Sequence, residues 1–322
     1  MTETKEMATL ANADFVEDIG HSFTATLRHD IYSSIDPTKS NLSQPFKVVL
    51  ITGSGRGIGR SIALRYADSG VACIILCSKT TSELDEVEEA VKARNINVKI
   101  RKLTLDITDD TQVMLAADLV KEEEGRLDVL INNAGVGAQP ALIAESDVDR
   151  YWKIWTVHMK GTYMVTRAFL PLLVATAKNQ KKQVDLINMS SDGAHKTHAS
   201  VSAYQTSKFA LLRFTEFVNA EYGEHGVNCI AVHPGCVLTE MTKRSKALRP
   251  CGYYLSGSEL LLTTKVLIDT PELCGGFLVW ITKGQRSWLS GRYLSATWDV
   301  EELEARQEEI VKGDKLKMRM VV

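Results

Sequence analysis

The chain has 322 residues, 44% of them apolar and 24% charged, with a formal net charge of −2. That balance suits a globular protein with a sizeable core and leaves no basic stripe for nucleic acid, so no such partner is expected. Its six cysteines form no C-x-x-C pair and no zinc-spaced Cys/His cluster, so the expectation is a reducing compartment with no disulfide framework and no metal site.

Residues 1–45 read as an N-terminal extension. Its start, MTETKEMATLANADF, lacks the basic beginning and apolar stretch of a secretory leader. No run of about 18 apolar residues follows anywhere, so a cytoplasmic protein with no membrane span is expected. Phe15, Val16, Ile19, Phe23 and Leu27 recur at near-helical spacing, which fits a short docking helix or a disordered arm. The turn-rich IDPTKSNLSQP closes the extension at Pro45. From Phe46 onward, strand-like runs alternate with longer helix-like stretches. The runs are KVVLIT (47–52), ACIILC (72–77), VKIRKL (98–103), DVLINN (128–133), DLINMS (185–190), NCIAVH (228–233) and RYLSA (292–296). This alternation predicts a single α/β domain over 46–300, a doubly wound parallel sheet with its crevice at the carboxyl ends of the strands. Residues 301–322 are a C-terminal tail.

The first run leads into Thr52-Gly53-Ser54-Gly55-Arg56-Gly57-Ile58-Gly59-Arg60, followed by the apolar-periodic SIALRYADSG. Glycines here let the backbone turn tightly and approach a pyrophosphate. A helix opening near Gly57 offers free N–H groups and its positive dipole end. A glycine loop after the first strand and opening a helix is in the context dinucleotide binding needs. The second run ends Cys77-Ser78-Lys79-Thr80, with no carboxylate for ribose hydroxyls. Lys79 and Arg56 are cations able to pair with a 2′-phosphate, so NADP is expected over NAD. Asp106 is placed to accept from the adenine amino group or to cap a helix starting near Thr108. Asn132-Asn133-Ala134-Gly135 lets the chain pass close beneath a cofactor, or ties the sheet to a loop through its amides.

Tyr204 and Lys208 stand four residues apart in SAYQTSK, and Ser191 lies thirteen residues before the tyrosine. On a helix, positions i and i+4 share one face. An ammonium beside a phenol favours the phenolate and lowers a pKa otherwise near ~10. Tyr204 is therefore the expected proton donor and acceptor for an alcohol or carbonyl oxygen, with the Ser191 hydroxyl holding that oxygen. His195 and His198, in the loop DGAHKTHASVSA, are either substrate contacts or solvated loop residues. The stretch from Cys236 to Leu262, with Met241, Tyr253, Tyr254 and Leu255, is expected to supply a lid suited to a lipophilic or aromatic small molecule.

With TGSGRGIG, NNAG, the Ser191/Tyr204/Lys208 spacing and His233-Pro234-Gly235 in this order, residues 46–296 resemble the short-chain dehydrogenase/reductase family, with its Rossmann fold. The resemblance implies Tyr204 as catalytic acid/base, Lys208 as the residue that lowers its pKa and binds the nicotinamide ribose, and Ser191 as the orienter of the substrate oxygen. It also implies that Pro234-Gly235 pass the nicotinamide ring and that Thr239 holds its carboxamide or the nearby phosphate. Arg56 is similar to the basic residue of NADP-preferring members. The run WLSGRYLSATWDVEEL (288–303) looks like a fungal branch of the family often linked to secondary metabolism. Members form dimers or tetramers, so a homodimer or homotetramer is expected.

One position departs from the family pattern. An Asn usually stands at a Val-Asn-x-x-Gly position and binds a water linking the lysine to solvent, whereas this chain reads Val157-His158-Met159-Lys160-Gly161. His158 either relays protons itself, because imidazole titrates near neutrality, or is a tolerated replacement. The activity implied is NADPH-dependent interconversion of a ketone and a secondary alcohol. An isomerase, dehydratase or cyclase on the same fold, and a non-catalytic dinucleotide sensor, are the alternatives.

Overall fold

Seven runs rich in Val, Ile and Leu pair as one parallel sheet: β1 (Val48–Thr52), β2 (Cys73–Ser78), β3 (Lys99–Thr104), β4 (Val129–Asn132), β5 (Val184–Met189), β6 (Val227–His233) and β7 (Tyr293–Ser295). They lie in the order β3-β2-β1-β4-β5-β6-β7, as a computed structural model describing residues 20–244 and 267–320 places them. The expected doubly wound sheet is therefore the observed one, and each strand falls on its expected run. Central strands such as VVLIT are buried along their whole length because helices cover both faces. The edge strand KIRKLT is the exception, with partly exposed residues throughout.

Successive residues of a strand feed opposite layers. Val49 and Ile51 pack with Ile62 and Tyr66 of α1 (Gly57–Asp68) and Phe277 of α8 (Pro271–Lys283). Val48 and Leu50 pack with Val113 of α3 (Asp110–Glu124) and Phe169 of α5 (Thr162–Gln180). The other described helices are α2 (Thr81–Arg94), α4 (Val148–Trp155), α6 (Ser202–Tyr222), α7 (Glu240–Arg244), α9 (Val300–Ala305) and α10 (Gln307–Lys312). α4 runs into α5 through a π-helical turn, Thr156–Gly161, that carries His158. On α8, a Cβ at Gly275 would stand 2.6 Å from Arg65 Cγ, and one at Gly276 would stand 2.6 Å from the Ile35 carbonyl. These two glycines let α8 lie against α1 and against the N-terminal segment.

Residues 20–45 form no helix. Phe23 and Leu27 serve instead in an irregular strap over the C-terminal elements. The N–H groups of Ala25 and Thr26 go to the Glu302 carboxylate, and that of Arg28 to the Thr297 carbonyl at 2.7 Å. No helical carbonyl takes them, which is why helical spacing misled. Leu27 makes an antiparallel bridge to Trp298, Arg28 pairs with Asp299 at 2.8 Å, and Phe23 packs on Trp298. Phe15, Val16 and Ile19 lie outside the described residues, as do Tyr253, Tyr254 and Leu255 of the expected lid.

Cys73, Cys77, Cys229 and Cys274 are free and buried. Cys236 is disulfide-bonded, which corrects the expectation of thiols alone.

Candidate active site

The loops at the carboxyl ends of β1, β4, β5 and β6 gather the expected site residues, because sheet order sets those four strands side by side. After β1, Gly53 and Gly57 adopt φ of 65° and 56°, in the left-handed region that favours glycine. Gly59 sits so close beneath the turn that a Cβ there would stand 2.2 Å from the Gly53 carbonyl. The first turn of α1 carries no capping side chain and no carboxylate. Its N–H groups and dipole are left to an anion, which fits a dinucleotide pyrophosphate. Ser54 turns inward, its N–H donating to the Cys77 carbonyl at 3.0 Å. Ile58 packs against the core beneath the loop.

The NNAG turn after β4 locks this loop. Asn133 donates from Nδ2 to the carbonyls of Thr52 (2.9 Å) and Gly53 (3.1 Å), while the Thr52 hydroxyl accepts from the N–H groups of Asn133 and Ala134. Of its two expected roles, the amide of Asn133 fills the one that ties sheet to loop.

On the adenosine side, each expected cation already has a carboxylate. Arg56 pairs with Glu83 at 2.9 Å and Lys79 with Asp106 at 2.9 Å. Glu83 also accepts from the Ser78 hydroxyl. Glu83 stands on the first turn of α2, past the end of β2 where sequence marks a ribose-binding acid. Asp106 takes the N–H and hydroxyl of Thr108 on its other oxygen. Burial opposes its ionisation, but Lys79 and Thr108 outweigh burial and hold it down at about 2. The cap of α3 is Asp109, which accepts from the Gln112 N–H, so the capping role considered for Asp106 belongs to its neighbour.

Ser191 follows β5, and α6 carries Tyr204 and Lys208. Ser191 Oγ accepts the Gly193 N–H at 3.0 Å and donates to Asp192 at 3.2 Å. A Cβ at Gly193 would touch both Ser191 Oγ and the Tyr204 ring, so these two groups flank one point. Burial pushes the Tyr204 phenol up to about 12, against a lowering hydrogen bond from Ser191. Burial also brings Lys208 down to about 8, and its ammonium donates to the Met189 carbonyl at 2.8 Å. Lys208 Nζ lies 5.8 Å from the Tyr204 ring centroid. The net shift of the phenol is therefore upward, opposite to the expected lowering, because desolvation dominates.

His158 is buried at the π-helical turn. Its Nδ1 is 2.8 Å from the Ser207 hydroxyl, which donates to the Tyr204 carbonyl at 2.7 Å. Ser207 has one proton to give, so His158 Nδ1–H is the donor between them. Nε2 lies between the Val136 N–H at 3.1 Å, from which it accepts when neutral, and the Val136 carbonyl at 3.0 Å, to which it donates when protonated. Burial, then the nearby Lys208 charge, holds its pKa well below the ordinary histidine value despite the Val136 bond. The expectation that it titrates near neutrality does not hold at this position.

After β6, Gly235 adopts φ of 92°, and Thr239 lies against Gly57 of the phosphate loop. His195 packs edge-on to Tyr293 at 4.4 Å, and burial brings it down to about 4. The His198 N–H donates to Gln205. Asp192, His233 and Cys236 approach one another within 4.8 Å. Their ligand atoms are committed: Asp192 to Lys196 at 2.5 Å, His233 Nδ1 to the Asp192 N–H, and Cys236 to its disulfide.

A family model described as short chain dehydrogenase matches residues 47–249. The chain is 41% identical over 314 residues to the short chain dehydrogenase mpl6 of Monascus purpureus, spanning 96% of this chain and 99% of that protein. It is 39% identical over 304 residues to the short chain dehydrogenase pigC of Monascus ruber, spanning 94% of each. Carveol dehydrogenase from Mycobacterium avium, in complex with NAD, superposes with a TM-score of 0.68 at 21% identity over 77% of this chain and 95% of that one. The Pseudomonas aeruginosa RhlG/NADP active-site complex gives 0.65 at 21% identity over 79% and 96%. These two are likenesses of fold.

Proposed function

The chain belongs to the short-chain dehydrogenase family, and within it we propose an NADPH-dependent oxidoreductase that interconverts a ketone and a secondary alcohol on a lipophilic or aromatic small molecule. Family membership supports oxidoreductase activity with NAD or NADP. The observation that carries the reading is the convergence of Ser191, Tyr204 and Lys208 at the carboxyl end of β5, across the crevice from the glycine turn.

The bound dinucleotide would supply or accept the hydride. The glycine turn and the start of α1 bind its pyrophosphate, with Thr239 closing over Gly57. Ser191 holds the substrate oxygen. Tyr204, with its phenol near 12, is protonated at neutral pH and gives its proton to that oxygen during reduction, taking it back during oxidation. Lys208, buried and titrating near 8, is mostly an ammonium at neutral pH and steadies the phenolate left behind. Arg56 and Lys79 support NADP, since a 2′-phosphate competes with Glu83 and Asp106 for them. Exposed Leu142 and Ile143 support a lipophilic substrate, because the preceding Ala141 is tied to the loop after Ser191 by a bond to the Ser200 carbonyl.

A homodimer or homotetramer is part of the same proposal, supported by exposed Tyr163 on α5 and Phe209 and Phe217 on α6. A cytosolic location is too, supported by the four free thiols and set against the disulfide at Cys236. No described helix is long and apolar enough to cross a membrane.

The test is loss of NADPH absorbance with a panel of bulky aromatic ketones. Tyr204→Phe is expected to lower turnover at least about 100-fold while NADPH still binds. Turnover that survives the substitution removes Tyr204 as the acid/base, and a clear preference for NADH removes the NADP assignment.

A further inference from the structure

Asp269 lies where the chain re-enters the described structure ahead of α8, and only 4% of its side chain is exposed. A buried carboxylate needs donors on both oxygens. Oδ2 takes the Cys236 N–H at 2.5 Å, and Oδ1 takes the Nδ1–H of His29 at 2.6 Å. The first bond fixes the turn after β6. A Cβ at Gly235 would stand 2.8 Å from Oδ2, so the turn rests directly on this carboxylate. Backbone pairing repeats the attachment, with Val237 bridging Asp269 and the Asp269 N–H reaching the Cys236 carbonyl at 3.3 Å.

The second bond comes from the strap, which grips the same point twice more. The Thr270 N–H donates to the His29 carbonyl at 2.9 Å, and the Thr270 hydroxyl donates to Asp30 at 2.5 Å. Residues 29–30 thus hold 269–270, and these hold 235–237. Two residues further on, Thr239 meets Gly57 of the phosphate loop. We infer that His29 is a positioning residue for the dinucleotide: through Asp269 it fixes the Pro234–Gly235 turn and the start of the segment that carries Thr239. The N-terminal strap is then part of the cofactor site, which it reaches from outside the crevice. The inference rests on the proposed function and on the nicotinamide-passing role that the family resemblance implies for that turn.

The experiment uses the full chain and three variants: His29→Ala, His29→Asn and Arg28→Ala. Asn offers a donor where Nδ1 stood. Arg28→Ala breaks the neighbouring strap contact to Asp299, which does not touch the turn. NADPH and NADH binding are read by fluorescence titration, alongside Tm without dinucleotide. His29→Ala is expected to weaken dinucleotide binding about tenfold, the scale of one lost bond to a charged group. Its KM for the dinucleotide should rise more than kcat falls. His29→Asn should restore binding to within about threefold, and Arg28→Ala should leave it unchanged even where Tm drops. Equal binding by the parent and His29→Ala overturns the inference and leaves the proposed function standing. So does equal weakening in His29→Ala and Arg28→Ala, which would mean the strap acts only through stability. A parent chain that binds neither dinucleotide overturns both.

Discussion

The imidazole of His158 stands edge-on to the phenol ring of Tyr204, with centroids 5.4 Å apart and planes at 81°. It touches the reactive ring, yet both its nitrogens are spent on Ser207 and Val136. Because burial keeps it neutral, the pH profile of kcat should carry no inflection from His158 between about pH 6 and 8. His158→Asn should keep kcat within about tenfold and leave that profile unchanged. An inflection near neutrality that vanishes in the variant would show that the imidazole relays protons. Stability should respond instead. The folded pKa lies below the unfolded one, so the unfolded chain takes the proton first as pH falls below ~6.5. The parent should therefore lose stability on acidification more steeply than the variant, read as urea midpoints at pH 7.5 and 5.5.

Lys208 is buried, and its ammonium donates to the Met189 carbonyl. Its folded pKa, about 8, lies below the ordinary lysine value of ~10.4. The unfolded chain thus holds the extra proton between these values, and the parent should gain stability as pH rises through that window. Lys208→Met keeps the length and removes the charge. It should raise stability by about 1–3 kcal/mol at pH 7, flatten the alkaline rise, and abolish turnover. Urea unfolding at pH 7 and 9.5 checks this. A less stable Met variant would mean that the ammonium is better compensated than its bond to Met189 implies.

Glu83 faces Arg56 beneath the glycine turn, and a Cβ at Gly55 would stand 2.6 Å from its carboxylate. Neutralising it with Glu83→Gln frees the guanidinium for a 2′-phosphate. NADPH binding should tighten about three- to tenfold at low ionic strength and by less at high salt, because the pair is partly exposed. NADH binding should not improve. Fluorescence titrations at two salt concentrations measure both, and weaker NADPH binding in the variant would refute the competition.

The strands were readable because buried parallel strands are written as β-branched and aliphatic runs, and VVLIT or CIILC admits little else. The glycine turn was readable because its position after the first strand carries its meaning. What escaped depends on contacts between residues distant in sequence. Ser207 sits in plain view between Tyr204 and Lys208, but its role appears only when His158, 49 residues away, meets it. His29 finds Asp269 across 240 residues. The protonation of Tyr204 was misjudged for a related reason: a four-residue spacing reports who the neighbour is, and the depth of burial decides which form of the phenol survives.

The strap is seated by Thr297, Trp298, Asp299 and Glu302. During synthesis, residues 20–29 leave the ribosome long before these partners exist. Phe23 and Leu27 must wait, uncovered, until almost the whole described chain has been made, and a loop of such span closes late. A polypeptide interrupted before Thr297 would keep Ser191, Tyr204 and Lys208 and lack the residues that seat the strap.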